Sequence, residues 1–334
     1  MNNYTNFAHD FIERAKEYSG VHGNSKKIKF GSKIVQLSYS VKGHFANQIT
    51  SAFISAPTAK QVDAQIHIWD SSFPSKLPDF TFAEEYIVKN ETIPQELSEN
   101  YNILFDRGQG FIYVFNKLDN TGAIWFRDYT TMDEKCFVAP FRVLLSWIAN
   151  QWDAEIVHAA AVEIDKELVL ISGPSGSGKS SLSLIALQND LRVVTDDAVL
   201  LENDGSAYPI YTKIKINEDN PIINKMQLSK FEKNQIEKGK LIIQLPNVDQ
   251  LFSSLKVSSL VFPILAHVAG IAKIDGKLAG QFIFDHSLRE LFGGLPENRR
   301  RLEKLINTTP CYRLAISGIP IIDLANLMKI RKLS

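Results

Sequence analysis

From position 173 the chain reads GPSGSGKS, a full match to the pattern GxxxxGK(S/T). These residue types at this spacing suit one chemistry, the holding of a phosphate chain. Gly173, Gly176 and Gly178 permit backbone dihedrals barred to other residues. The N–H groups of Ser175, Gly176, Ser177 and Gly178 can therefore turn inward toward phosphate oxygens. A helix starting near Lys179 adds its positive N-terminal end. Lys179 would reach the β- and γ-phosphates, and the Ser180 hydroxyl would ligate Mg2+, with Ser181 beside it in the cradle. ATP and Mg2+ are the cofactors this pattern leads one to expect. No motif that reads the nucleotide base accompanies it.

Two further signals flank the loop. Asp196 and Asp197 follow the apolar run LRVV, seventeen residues after Lys179. A strand ending next to the loop's own strand would bring carboxylates to the γ-phosphate and its metal. Successive residues on a strand point to opposite faces, so one aspartate would hold Mg2+ while the other meets an acceptor hydroxyl. A turn with two solvated acids is the simpler alternative. His158 lies upstream in IVHAAAV. A histidine among apolar residues is most often a core residue, but at a strand end it could orient or deprotonate an aspartate. The densest basic cluster is NRRR at 298–301. It reads most simply as a solvated helix face, and alternatively as the source of an arginine for the transferring phosphoryl group.

The elements that must position these groups follow from periodicity. EIVHAAAVEI reads as a strand, DKE as a turn and LVLISG as a second strand. KSSLSLIALQND follows as a helix, and LRVVTDDAVLLE as another apolar strand. SSLVFPIL and CYRLAI are later strands. SLRELFGGL, PENRRRLEKLINTT and DLANLMKIRKLS are helices. Strands alternating with helices predict an α/β layer on a largely parallel sheet. Upstream, residues 4–18 predict an amphipathic helix with Phe7, Phe11 and Ile12 on one side. GQGFIYVFNK and GAIWFRDY predict neighbouring strands joined near LDNTG. KLPDF and ETIPQEL read as loops. APFRVLLSWIANQW predicts a helix, with Phe141, Leu144, Leu145 and Ile148 at helical spacing. These patterns divide the chain into a smaller β-rich or α+β domain over 1–138 and an α/β domain over 139–334.

Composition excludes several classes. Acidic and basic residues balance at 37 each, which leaves no global field to draw in nucleic acid or a membrane surface. The longest apolar stretch, VSSLVFPILAHVAGIA, is too short to span a bilayer. The opening MNNYTNFAHDFIERAKEYSG lacks the apolar core of a secretion signal. Cys136 and Cys311 are too far apart for a paired motif and read as buried thiols suited to a reducing cytosol.

Taken together, VHAAAV, LVLISGPSGSGKSSLSL and VVTDDAVLL resemble the catalytic domain of HPr kinase/phosphorylase. The likeness is closer to the HPr-kinase-like proteins found beside peptide-modification genes. The resemblance spans roughly 150–325, and VFPIL and PCYRLAI extend it less specifically. It implies a P-loop fold shared with phosphoenolpyruvate carboxykinase, and a serine or threonine hydroxyl of a protein or peptide as acceptor. It also implies that His158 pairs with an aspartate of the DD motif. Asp196 would be the general base, and Asp197 would support Mg2+ with Ser180. Relatives of HPr kinase often assemble, so a homo-oligomer is an open expectation. The signature segment that follows the DD motif in HPr kinase has no counterpart in SAYPIYTKIKINEDN. Glu202 and Glu218 stand in no matching context there.

The expectation is therefore a cytoplasmic, ATP- and Mg2+-dependent kinase that phosphorylates a hydroxyl on a peptide, protein or small metabolite. His158, Lys179, Asp196 and Asp197 would be its catalytic residues. The alternative is a regulatory or assembly ATPase with water as its only acceptor.

Overall fold

A computed structural model describes residues 3–41, 43–58, 60–71, 77–79, 81–83, 98, 100–106, 110–128, 135–225, 233–236, 239–246, 255–287 and 296–333. The chain divides into two compact units, Met1–Trp152 and Asp153–Ser334. The division falls after the helix at 142–151, whereas the sequence placed the boundary before it, at 138/139.

The first unit opens with α1 (Asn3–His22), followed by the hairpin β1 (Asn24–Phe30) and β2 (Lys33–Ser40). Then come α2 (Gly43–Thr50), β3 (Ala64–Asp70), β4 (Tyr101–Asp106), β5 (Phe111–Asn116), β6 (Thr121–Phe126), α3 (Lys135–Val138) and α4 (Arg142–Gln151). Its sheet has the order β1-β2-β3-β6-β5-β4, with parallel pairings of β3 to β2 and to β6. Phe7, Phe11 and Ile12 of α1 are buried against it, and the Phe11 ring lies 4.7 Å from that of Trp69. The strands expected on either side of LDNTG are β5 and β6, paired antiparallel from Asn116 and Thr121 outward. KLPDF is non-regular where it is described. ETIPQEL lies outside the described residues.

The second unit begins with β7 (Glu155–Val157), β8 (Ala159–Ile164) and β9 (Glu167–Ser172). Next come α5 (Lys179–Gln188), β10 (Arg192–Thr195), β11 (Val199–Leu201), β12 (Ser206–Pro209) and β13 (Lys213–Asn217). They are followed by β14 (Lys233–Ile236), β15 (Lys240–Gln244), β16 (Leu255–Leu265), β17 (Gly270–Ile274) and α6 (Gly276–Ser287). The chain closes with α7 (Pro296–Thr308), β18 (Cys311–Ile316) and α8 (Pro320–Leu333). Of SLRELFGGL, expected as a helix, only Ser287 is described, as the last residue of α6.

The main sheet is mixed, not largely parallel. Among the described residues only β16 makes parallel pairs in it, with β9 and β18. The reason is local. Asp165 and Lys166 form a two-residue connection with φ of 52° and 66°, the left-handed pair that matches strand twist in a tight hairpin. β8 and β9 must therefore run antiparallel. After α5 the chain passes over β9 and adds β10 antiparallel to the far side of β8. As a result β9, β10, β16 and β18 all run in one direction, with β8 opposed between the first two.

Alternation along the strands assigns the faces. Val169, Ile171 and Val261 share a core with Leu182 and Ile185 of α5 and Leu327 and Ile330 of α8. Phe262 points the other way and stacks on Phe282 of α6, with 5.3 Å between ring centroids. Ile214 and Ile216 of the small sheet β13-β15-β14 join the α5 side. Among the described residues no helix is long and apolar enough to cross a membrane. Cys311 is buried, and burial pushes its thiol up to about 11, as expected of an inert structural cysteine.

Candidate functional site

Strand direction brings the sequence signals to one edge of the sheet. β9 ends at Ser172 and leads into the loop 173–178. β10 ends at Thr195 and leads into Asp196 and Asp197. β8, running the other way, begins at Ala159, immediately after His158. The register confirms the convergence, since Ala159 pairs with Ser172 and Ala161 with Thr195.

His158 owes its place to a change of sheet partners. The apolar run expected as one strand breaks there into β7, which pairs with β11, and β8, which pairs with β9 and β10. Its main-chain groups, lost to the ladders, are taken up by buried hydroxyls. The His158 N–H donates to Ser287 Oγ at 3.2 Å, and Ser172 Oγ donates to the His158 carbonyl at 3.1 Å. Neither serine was singled out from sequence. Ser172 looked like the end of an apolar strand, and Ser287 is 129 positions away.

The glycine-rich loop joins β9 to α5. Gly178 sits at the helix start with φ 104°, where no side chain caps the helix. A Cβ there would press on Ile316 Cδ1, the far end of a side chain, and the left-handed φ is what calls for glycine. The N–H groups of Lys179, Ser180 and Ser181 precede the first helical donor, Leu182, which bonds the Gly178 carbonyl, and they point out of the helix start, where the helix dipole favours an anion. Lys179 is buried, and its ammonium donates to the carbonyls of Gly173 at 2.6 Å and Pro174 at 3.1 Å. It thus bridges the mouth of the loop. Pro174, Ser175 and Gly176 are exposed at the rim.

Ser180 donates a hydrogen bond to Asp196 Oδ2 at 2.7 Å. The other oxygen, Oδ1, is buried without a hydrogen-bond partner among the described residues. Ser183 stands close enough to favour the ionised carboxylate. Its hydroxyl has no hydrogen-bond partner of good geometry among the described residues. Burial lifts the Asp196 carboxyl to about 7, and the neighbouring charge of Asp197 adds to the rise. The two serines and the Lys179 ammonium work against it.

The resemblance implies an aspartate of the doublet as the partner of His158, and the one it meets is Asp197. Its Nδ1 lies 2.9 Å from the Asp197 main-chain oxygen and 3.7 Å from carboxylate Oδ1. Ser180 meets Asp196, not Asp197. The two aspartates occupy a bend after β10 and turn to different neighbours. Since a carbonyl oxygen only accepts, Nδ1 carries the hydrogen of the neutral ring. Asp197 retains 22% of its side-chain exposure, so a solute can reach it. Asp196, at 5%, is enclosed.

Hard oxygen donors and a buried carboxylate oxygen without a partner fit a divalent cation. Among the described residues no three of His, Cys, Asp and Glu cluster as a metal cage. Mg2+ takes one or two carboxylates and completes its shell with water and phosphate oxygens. Ser180 and Asp196 are the residues that would hold it.

The arginine cluster has structural partners. Arg301 bonds Asp153 Oδ1 at 3.0 Å and the Ala154 carbonyl at 3.2 Å, and faces buried Glu155 at 3.7 Å. It ties α7 to the start of β7. Arg299 pairs with Glu303 and lies over the Phe284 ring. Arg300 is exposed.

Compared with known families and with curated proteins, the chain matches no family model and no curated protein.

Proposed function

We propose that Asp153–Ser334 is an ATP- and Mg2+-dependent kinase that transfers the γ-phosphoryl group to a hydroxyl of a peptide, protein or small metabolite. One observation carries the reading. A glycine-rich loop with a bridging lysine, a serine–aspartate pair and a histidine–aspartate pair converge on one sheet edge. The kinship proposed is with the HPr-kinase-like enzymes, on the residues that carry that resemblance. The proposed setting is the cytosol.

In this reading the loop amides and Lys179 hold the phosphates, the ammonium leaving its two carbonyls for the anion. Ser180 and Asp196 would hold Mg2+. When bound, Mg2+ supplies neutralisation of the charge that develops on the phosphate oxygens. Asp197, the more accessible carboxylate, takes the proton of the acceptor hydroxyl as its oxygen attacks the γ-phosphorus. The bond from that phosphorus to the bridging oxygen breaks, and its electrons leave with ADP. His158 steadies Asp197 through its main chain. Most of the rate would come from alignment and charge placement. Residues of the first unit are proposed to recognise the acceptor.

The test is transfer from γ-labelled ATP to a lysate of the source cells, comparing wild type with Asp197→Asn. Labelling of a component by wild type alone supports the kinase and leads to the acceptor. Release of free phosphate at a rate indifferent to lysate makes the protein an ATPase instead. Absence of both refutes the reading.

A further inference from the structure

The turn after β13 touches the start of α5. We propose that Asn220 is a positioning residue for phosphate binding, turning the Ser181 hydroxyl toward the phosphate chain. This inference rests on the phosphate-binding reading and adds a residue that the loop pattern does not contain.

Asn220 Nδ2 donates to Ser181 Oγ at 3.2 Å. Its Oδ1 accepts the Ile222 N–H at 3.1 Å. A main-chain N–H needs an acceptor, so this second bond fixes which end of the amide faces Ser181. The turn is braced on both sides. The Asn220 N–H donates to the Asn217 carbonyl at 3.0 Å and the Ile223 N–H to the Asn220 carbonyl at 2.9 Å. The Glu218 N–H donates to the Gly239 carbonyl at 2.8 Å. Asn220 is therefore held independently of the bond it offers to Ser181.

The consequence falls on the hydroxyl. Ser181 Oγ is accepting, so its hydrogen is directed away from Asn220. Ser181 belongs to the first turn of α5, beside the outward-pointing N–H groups. A second hydroxyl points to a ligand in the same place. Ser177 is 8% exposed, and its Oγ is buried without a hydrogen-bond partner among the described residues. A Cβ on Gly173 would lie 3.2 Å from that oxygen, which places it across the inside of the loop. Two hydroxyls thus join the amides as donors to one anion, and Asn220 aims one of them.

MgADP is titrated calorimetrically into full-length wild type, Asn220→Ala, Asn220→Asp, Ser181→Ala, Lys179→Ala and the Asn220→Ala/Ser181→Ala double variant. Ser181→Ala is expected to weaken binding about tenfold, the share of one hydrogen bond to a charged group. Asn220→Ala is expected to weaken it about threefold or more, and the double variant no further than Ser181→Ala alone. Asn220→Asp keeps the acceptor for the Ile222 N–H and should bind no better than Asn220→Ala. A merely structural asparagine gives the opposite pattern, with affinity kept in Asn220→Asp and single effects that add. That pattern overturns the inference. So does an unchanged Kd in Asn220→Ala; if Lys179→Ala still abolishes binding, the phosphate reading survives it. Failure of wild type to bind MgADP overturns both.

Discussion

The imidazole of His158 stands against Asp197, with Nδ1 2.9 Å from its main-chain oxygen and 3.7 Å from its carboxylate. The neighbouring Asp196 is joined to Ser180 instead. Two adjacent aspartates are thereby separated into an accessible one braced by histidine and an enclosed one bonded to the helix start. Their substitutions should separate as well.

Asp197→Asn is expected to lower phosphoryl transfer by about 10²–10⁴-fold, the usual share of a general base, with little change in MgADP affinity. His158→Ala acts through Asp197 and should cost less. Asp196→Asn should abolish the gain in ADP affinity that Mg2+ gives wild type. Steady-state kinetics and ADP titrations with and without Mg2+ check the assignment. Equal loss of Mg2+-dependent affinity in both variants would refute it.

Asp196 also carries a pH signature in the protein without ligands. Its carboxyl is raised from an ordinary 3.8 to about 7, chiefly by burial. Between those values the folded chain keeps a proton that the unfolded chain has released. The group's contribution is therefore complete below about pH 4 and is lost as pH rises toward 7. Asp196→Asn removes this slope. Its Tm should match wild type near pH 4 and exceed it at pH 8. A constant offset at both values would show that the carboxyl does not titrate across the window.

How far the sequence disclosed this site follows from distance along the chain. The spacing of Gly173, Gly178, Lys179 and Ser180 is local and was legible at once. So were the strand before the loop and the helix after it. The break at His158 was not, because EIVHAAAVEI reads as one continuous strand, and only the change of sheet partners divides it. The alternation of strands and helices suggested parallel pairing. The turn at Asp165 and Lys166, legible as a turn, in fact sets β8 against β9. Ser287 and Asn220 carry no pattern of their own. Their roles arise from contacts made across the fold.

Gly178→Ala tests the close approach at the loop. The added Cβ meets Ile316 Cδ1 at 2.2 Å, and φ 104° is strained for any side chain. Together these should cost about 2–4 kcal/mol in urea unfolding, as overpacking and backbone strain combine. Ile316→Val removes the clashing methyl without altering φ. The double variant should recover part of the loss, and recovery of none would show that the dihedral alone is responsible.

Arg301→Ala is expected to destabilise without disabling. It removes the partner of Asp153 and leaves Glu155, 1% exposed, without its guanidinium. Breaking a largely buried pair of this kind costs about 2–4 kcal/mol. Turnover per folded molecule, measured well below the variant's Tm, should stay at the wild-type value. A kcat reduced at unchanged stability would instead put Arg301 at the phosphoryl group.

The first unit holds a titration of opposite sign. His67 is buried on β3, and Ser19 Oγ of α1 lies 2.6 Å from its Nδ1. Burial, aided by the charge of Lys16, pushes the imidazole from 6.5 down to about 4. Between those values the unfolded chain binds a proton that the folded chain refuses. Stability of this unit therefore falls as pH drops from 6.5 to 4, the reverse of the Asp196 slope. His67→Gln keeps a hydrogen-bonding side chain but cannot titrate, and it should flatten the acid limb. Hydrogen exchange at amides of α1 and β3, corrected for intrinsic rates, reads the unit by itself. Protection lost between pH 6.5 and 4.5 in wild type and retained in His67→Gln is the expected result. Equal losses in both would place the acid sensitivity elsewhere.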